Sequence, residues 1–300
     1  MKDDLLCGRV CLVTGANGGI GFEVARGLAD HSATVLLACR NRERGEAAVA
    51  AIRAATGNAE VELELADLSL QRSVRELARS VCTRQPRLDL LVNNAGVWPA
   101  ERQLTAEGVE LTWATNVLGP FLLTSLLGEL LRASAPARVV NLGSIAAGGL
   151  DLTDVEFARR RFVPVRAYAQ SKQAIHMLTW SFAERLRAAG VTANAVHPGA
   201  VATGLFQRRR SALGSFLDWG LNLVGRSAAR GADTIVWLGS DPTGLRETGK
   251  LWHDRRPIRS GRREPARLGE LWRTCEAMCG ERQPSDAEPL SRSASAADGP

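Results

Sequence analysis

Short apolar runs alternate with amphipathic stretches along most of this chain. Residues 9–13 (Arg-Val-Cys-Leu-Val) form a compact apolar run that ends in a glycine-rich turn, and residues 20–30 then carry apolar side chains at helical spacing. The rhythm repeats, with 34–38 reading as strand, 43–55 as helix, 61–65 as strand, 71–84 as helix and 88–92 as strand. A long helical stretch follows over 105–132, then strand 137–142, helix 167–189 and strand 191–196. Strands that are apolar along their length need cover on both sides. The pattern therefore predicts an α/β fold, a Rossmann-type doubly wound parallel sheet of about seven strands with helices on both faces.

The rhythm breaks over 204–225, where glycines are mixed with Leu205, Phe206, Leu213, Phe216, Leu217, Trp219 and Leu221, and this segment reads as a mobile insert that covers a substrate. Helix 228–238, a last strand at 250–252 and a terminal helix at 265–279 complete the series. From 283 to 300 the Ser/Ala/Asp/Pro composition is that of a disordered tail. With no internal repeat and no linker, residues 1–282 are expected to form one domain.

Composition narrows the function. A hydrophobic content of 45% is enough for a large core. No run approaches the roughly 20 apolar residues of a membrane span, and the start of the chain, with two aspartates, is unlike a signal peptide; the expected location is cytoplasmic. The net charge of +6 is spread along the chain without interleaved aromatics, so no nucleic-acid partner is expected. The six cysteines are dispersed, and Cys275 and Cys279 have no second Cys/His pair to complete a site, so no metal is expected.

Two local patterns carry chemistry. The first is Thr14-Gly15-Ala16-Asn17-Gly18-Gly19-Ile20-Gly21, lying between the first strand and first helix. Glycines there permit a tight turn and let a pyrophosphate approach the unpaired N–H groups of the helix start. The second strand ends Ala38-Cys39-Arg40, where an NAD site would often place an acid against the ribose hydroxyl. A guanidinium at Arg40 instead suits a 2'-phosphate, which makes NADP(H) the expected cofactor. The second pattern is Tyr168, the only tyrosine, four residues before Lys172, in a chain with very few lysines. On a helix the two share a face, and a nearby cation lowers a phenol pKa, giving an acid/base for neutral pH.

Asp67-Leu68, Asn93-Asn94-Ala95-Gly96, Asn116, Ser144 and His197-Pro198-Gly199 join these patterns in an order that resembles the short-chain dehydrogenase/reductase superfamily from about residue 8 to residue 252. Ala38-Cys39-Arg40-Asn41, together with Gly249-Lys250-Leu251-Trp252 through Leu271-Trp272, is similar to its retinol-dehydrogenase-like branch. The resemblance implies a cofactor site of Gly15, Asn17, Gly19, Ile20, Gly21 and Arg40, with Asp67 and Leu68 at the adenine. Asn93, Ala95 and Gly96 would line the cofactor, as would Pro198, while Val201 and Thr203 would hold the carboxamide or phosphates. Tyr168 would exchange the proton and, with Lys172, contact the cofactor. Ser144 would stabilise the alkoxide, and Asn116 would hold a water that links Lys172 to solvent.

The expected activity is interconversion of an alcohol and a carbonyl on a lipophilic substrate, such as a retinoid or steroid. A non-catalytic NADP(H)-sensing protein is the competing reading. Members of the family associate through the helices matching 105–132 and 167–189, so a homodimer or homotetramer is expected. Peripheral membrane contact would fall to the apolar 205–221 segment.

Overall fold

The computed structural model describes residues 5–200, 226–261 and 263–280. The predicted insert 204–225 and the tail 283–300 lie outside these residues, as do Val201 and Thr203.

The first half is a strict alternation: β1 (Val10–Thr14), α1 (Gly19–Asp30), β2 (Thr34–Cys39), α2 (Arg42–Thr56), β3 (Val61–Leu65), α3 (Gln71–Arg84) and β4 (Leu90–Asn93). Three short helical segments follow, α4 (Leu111–Trp113), α5 (Gly119–Leu126) and α6 (Gly128–Ala133), then β5 (Ala137–Leu142), α7 (Pro164–Leu186) and β6 (Val191–Val196). The described chain ends with helix Ala228–Ser240, a short helix Thr243–Arg246, strands β7 (Leu251–His253) and β8 (Arg256–Ile258), and helix Pro265–Cys279.

The sheet runs β3-β2-β1-β4-β5-β6-β7-β8. It is parallel through β7 and antiparallel only at β8. Strand residues alternate between two apolar layers, which is why these strands read as continuous apolar runs. Leu12, Leu36, Leu91 and Val139 face the layer built by α3, α5, α7 and the terminal helix. Cys11, Val35, Leu90 and Val140 face the layer built by α1, α2 and helix Ala228–Ser240. The chain reverses its direction of sheet growth between β1 and β4, so the crevice at their carboxyl ends is where a ligand of such a fold binds.

Two expectations are corrected here. The sheet has eight strands, because β7 turns into a hairpin through Asp254 and Arg255, both at positive φ (47° and 58°). A two-residue turn of that hand matches strand twist, but Asn and Gly are its usual carriers, so the sequence concealed it. The expected helix over 105–132 is broken as well. Residue Gly108 sits at φ +78°, Leu104 bridges to Glu110, and helix begins only at Leu111. The Glu110 carboxylate caps that start by accepting from the Thr112 and Trp113 amides, and a π-turn over Ala114–Leu118 precedes α5.

Candidate active site

Four loops at the carboxyl edge of the sheet build the site. In the loop from β1 to α1, Gly15 and Gly19 adopt positive φ (68° and 55°), which only glycine adopts without strain. A Cβ on Gly21 would lie 2.5 Å from the Gly15 carbonyl oxygen and closer still to Asn94 Nδ2. Here the glycine serves close approach of two loops. The start of α1 has no side-chain cap and no acid in its first turn, so its N–H groups face outward past the exposed Gly18 and Gly19. That cradle fits the pyrophosphate of a dinucleotide.

The β4 loop is tied to this one by Thr14. Its hydroxyl accepts from the Asn94 and Ala95 amides at 3.0 Å each, and Asn94 Nδ2 donates to the Thr14 carbonyl at 2.8 Å. Asn93 turns the other way. Its side chain is buried and donates to Thr124 Oγ1 and Asn141 Oδ1, bracing β4 against α5 and β5 rather than lining the crevice. The neighbouring Gly96 lies against Asn116, whose Oδ1 is 3.4 Å from where a Cβ would stand.

At the end of β2, Cys39 is buried beneath α2, and Gly45 gives its sulfur room. Arg40 is exposed and has no ion pair among the described residues, whereas Arg42 pairs with Glu46. Asp67 forms a turn after β3, its Oδ1 accepting from the amide and hydroxyl of Ser69 at 2.9 and 2.7 Å, and Leu68 is buried beside it. Pro198 follows β6 in a half-buried turn.

Asn116 lies in the π-turn, where its side chain clamps the backbone of Val97 from both sides, accepting from the amide at 2.8 Å and donating to the carbonyl at 3.0 Å. It also donates to Ser171 Oγ at 3.1 Å. The side chain thus joins the β4 loop to α7.

Ser144, Tyr168 and Lys172 come together where β5 ends against α7. Lys172 Nζ donates to the Leu142 carbonyl at 2.7 Å, and burial drives its pKa down to about 8. Burial raises the Tyr168 phenol above its ordinary value, opposed by a hydrogen bond with Ser144. This reverses the expected direction. The ammonium is 5.6 Å from the phenol ring centre and is itself weakened as a cation by burial, so desolvation dominates.

Sequence reasoning missed Trp98, whose indole stacks on Tyr168 with ring centres 4.6 Å apart and planes 9° apart. Its position two residues past Gly96 was the only available signal. Phe157 is buried, with Phe162 packed edge-on against it at 5.5 Å.

Comparison with known proteins agrees with this geometry. The sequence profile of the short chain dehydrogenase family matches residues 9–214. The chain belongs to the short-chain dehydrogenase family. It is 44% identical over 200 residues to retinol dehydrogenase 13 of Mus musculus, a match covering 66% of this chain and 60% of that relative. Retinol dehydrogenase 12 of Mus musculus is 40% identical over 279 residues, covering 90% of this chain and 86% of the relative. These identities place the chain in the retinol-dehydrogenase-like branch of that family, and it spans 60% of the length of the first of these relatives.

Among solved structures, an uncharacterised protein from Mycobacterium Paratuberculosis superposes with a TM-score of 0.72 at 30% identity, covering 91% of this chain and 94% of its own. The Pseudomonas aeruginosa RhlG/NADP complex superposes with a TM-score of 0.65 at 28% identity, covering 84% and 96%. Short-chain dehydrogenases use NAD(P).

Proposed function

We propose that this chain is an NADP(H)-dependent oxidoreductase that interconverts an alcohol and a carbonyl on a lipophilic substrate of the retinoid kind, with Tyr168 exchanging the proton. The observation that carries the reading is the cluster of Tyr168, Ser144 and Lys172 beside a glycine cradle shaped for a dinucleotide. A nicotinamide held in the cradle would supply or accept the hydride.

In reduction, the Tyr168 phenol donates its proton to the carbonyl oxygen while the Ser144 hydroxyl hydrogen-bonds to the developing alkoxide. Burial holds the phenol above its ordinary pKa, so at neutral pH it carries the proton it donates. Lys172, charged below about pH 8, favours the phenolate left behind and orients the cofactor ribose. Asn116 holds the Gly96–Val97 backbone in place along the cofactor.

The preference for NADP(H) rests on Arg40, exposed at the end of β2, and on a buried thiol at Cys39 where an acid would repel a 2'-phosphate. Support for a lipophilic substrate comes from the relatives named retinol dehydrogenase and from apolar groups beside the catalytic cluster, among them Trp98 and the exposed Ile145. Val201 and Thr203 complete the cofactor site in this reading. The competing role as a non-catalytic sensor would leave the proton-transfer set without a use.

A panel of retinoids, aliphatic aldehydes and ketones, assayed for oxidation of NADPH and of NADH by the purified protein, tests the reading. Turnover of lipophilic carbonyls with NADPH is expected. Turnover with NADH alone, or with no carbonyl, would sink it.

A further inference from the structure

Tyr168, Lys172 and His176 stand one turn apart on the same face of α7, and all three meet the segment that leaves β5. The Ser144 hydroxyl stands beside the phenol and favours its ionised form, Lys172 Nζ donates to the Leu142 carbonyl at 2.7 Å, and the Ser144 amide donates to His176 Nε2 at 3.3 Å. The first two contacts belong to the acid/base set of the proposed function. The third has no place in it.

We propose that His176 is a positioning residue for Ser144: its Nε2 accepts the Ser144 amide and fixes the turn that presents the hydroxyl to the substrate oxygen. This role rests on the hydride-transfer reading above. On the far side of the turn, the Ala146 amide donates to Ser144 Oγ at 3.1 Å, so backbone and hydroxyl are each held by one contact. His176 is buried, and a buried amide without a partner is costly, so the imidazole both satisfies and orients the turn.

Room for the ring comes from Gly143. A Cβ there would stand 2.6 Å from His176 Nε2 and 3.1 Å from its Cδ2. Unlike Gly15 and Gly19, Gly143 is not at positive φ, so the glycine serves space rather than backbone conformation. In this chain Gly143 directly precedes Ser144. The two positions are complementary: a side chain at 143 would displace the imidazole that holds 144. Burial first, then the charges of Lys172 and His197, hold the imidazole pKa down to about 4, so it is neutral near pH 7 and can accept at Nε2 with its proton on Nδ1.

The test has a spectroscopic and a kinetic arm. In isotope-labelled wild-type protein without cofactor, a through-hydrogen-bond coupling between the Ser144 amide nitrogen and the His176 ring nitrogen is expected, and Gly143→Ala should abolish it. In turnover with NADPH, His176→Leu should lower kcat about tenfold, the worth of one hydrogen bond at the site, with KM for NADPH changed less than about twofold. His176→Gln, which retains an acceptor, should recover most of the loss. Gly143→Ser should impair kcat, and adding His176→Ala should relieve part of that defect. Absence of the coupling, unchanged kcat in His176→Leu, or equal losses in the Leu and Gln variants would overturn the role. A wild type that shows the coupling yet reduces no carbonyl would count instead against the oxidoreductase reading.

Discussion

Lys172→Met should make the protein more stable while it removes activity. Lys172 is 4% exposed, and burial lowers its pKa from 10.5 to about 8. At roughly 1.36 kcal/mol per unit, the folded chain carries about 3 kcal/mol of charging cost at pH 7. Methionine fills similar space without charge but leaves the Leu142 carbonyl without the ammonium, a loss of about 2 kcal/mol. The net gain is about 1 kcal/mol, or on the order of 2 °C in Tm for a domain of this size.

The pH dependence identifies the cause. Below about pH 8 the lysine is charged in both folded and unfolded chains, and the cost is fully present. Between about 8 and 10.5 the unfolded chain still binds a proton that the folded chain has released, so wild-type stability rises with pH through that window. The methionine variant lacks this term, and its advantage should shrink as pH rises. Urea unfolding of both proteins at pH 7 and near pH 9.5 measures the difference. A variant less stable than wild type at pH 7, or a gap that does not change with pH, would refute the reasoning.

Gly21→Ala should weaken dinucleotide binding by more than about tenfold, because the added carbon would stand 2.5 Å from the Gly15 carbonyl oxygen and must separate the β1 and β4 loops. NADPH fluorescence titration checks this, and unchanged affinity would show that the two loops yield freely. Arg40→Ala should lower NADPH affinity on the order of tenfold or more, as expected for a lost charge-assisted hydrogen bond, and leave NADH affinity nearly unchanged. Equal losses for both cofactors would place Arg40 away from the 2'-phosphate.

What the sequence disclosed was what depends on local chemistry. The glycine loop was legible because positive φ at Gly15 and Gly19 is a backbone demand that only glycine meets easily. Tyr168 and Lys172 were legible because each is scarce in this chain and their spacing is one helical turn. Features set by distant partners were hidden. The imidazole of His176 matters because Gly143, 33 positions earlier, lacks a side chain. Trp98 matters because it lies flat against Tyr168 from another loop. Asn93 and Asn94 read as one motif, yet the pleat sends their side chains in different directions, one into the core and one to the glycine loop. Apolar periodicity carried the helix expectation through 105–132, since nothing in a hydrophobic pattern reveals that Glu110 would spend its carboxylate on a cap. The direction of the Tyr168 shift was misjudged for a related reason: spacing shows a neighbouring charge, but burial, which dominates here, appears only in three dimensions.

Pre-steady-state reduction of a lipophilic aldehyde by NADPH, compared between wild type and Tyr168→Phe, tests the central claim most directly. The account predicts rapid NADPH consumption by wild type, a loss of at least about a hundredfold in the variant, and NADPH affinity within about twofold of wild type. Substantial residual reduction by Tyr168→Phe at intact cofactor affinity would contradict it.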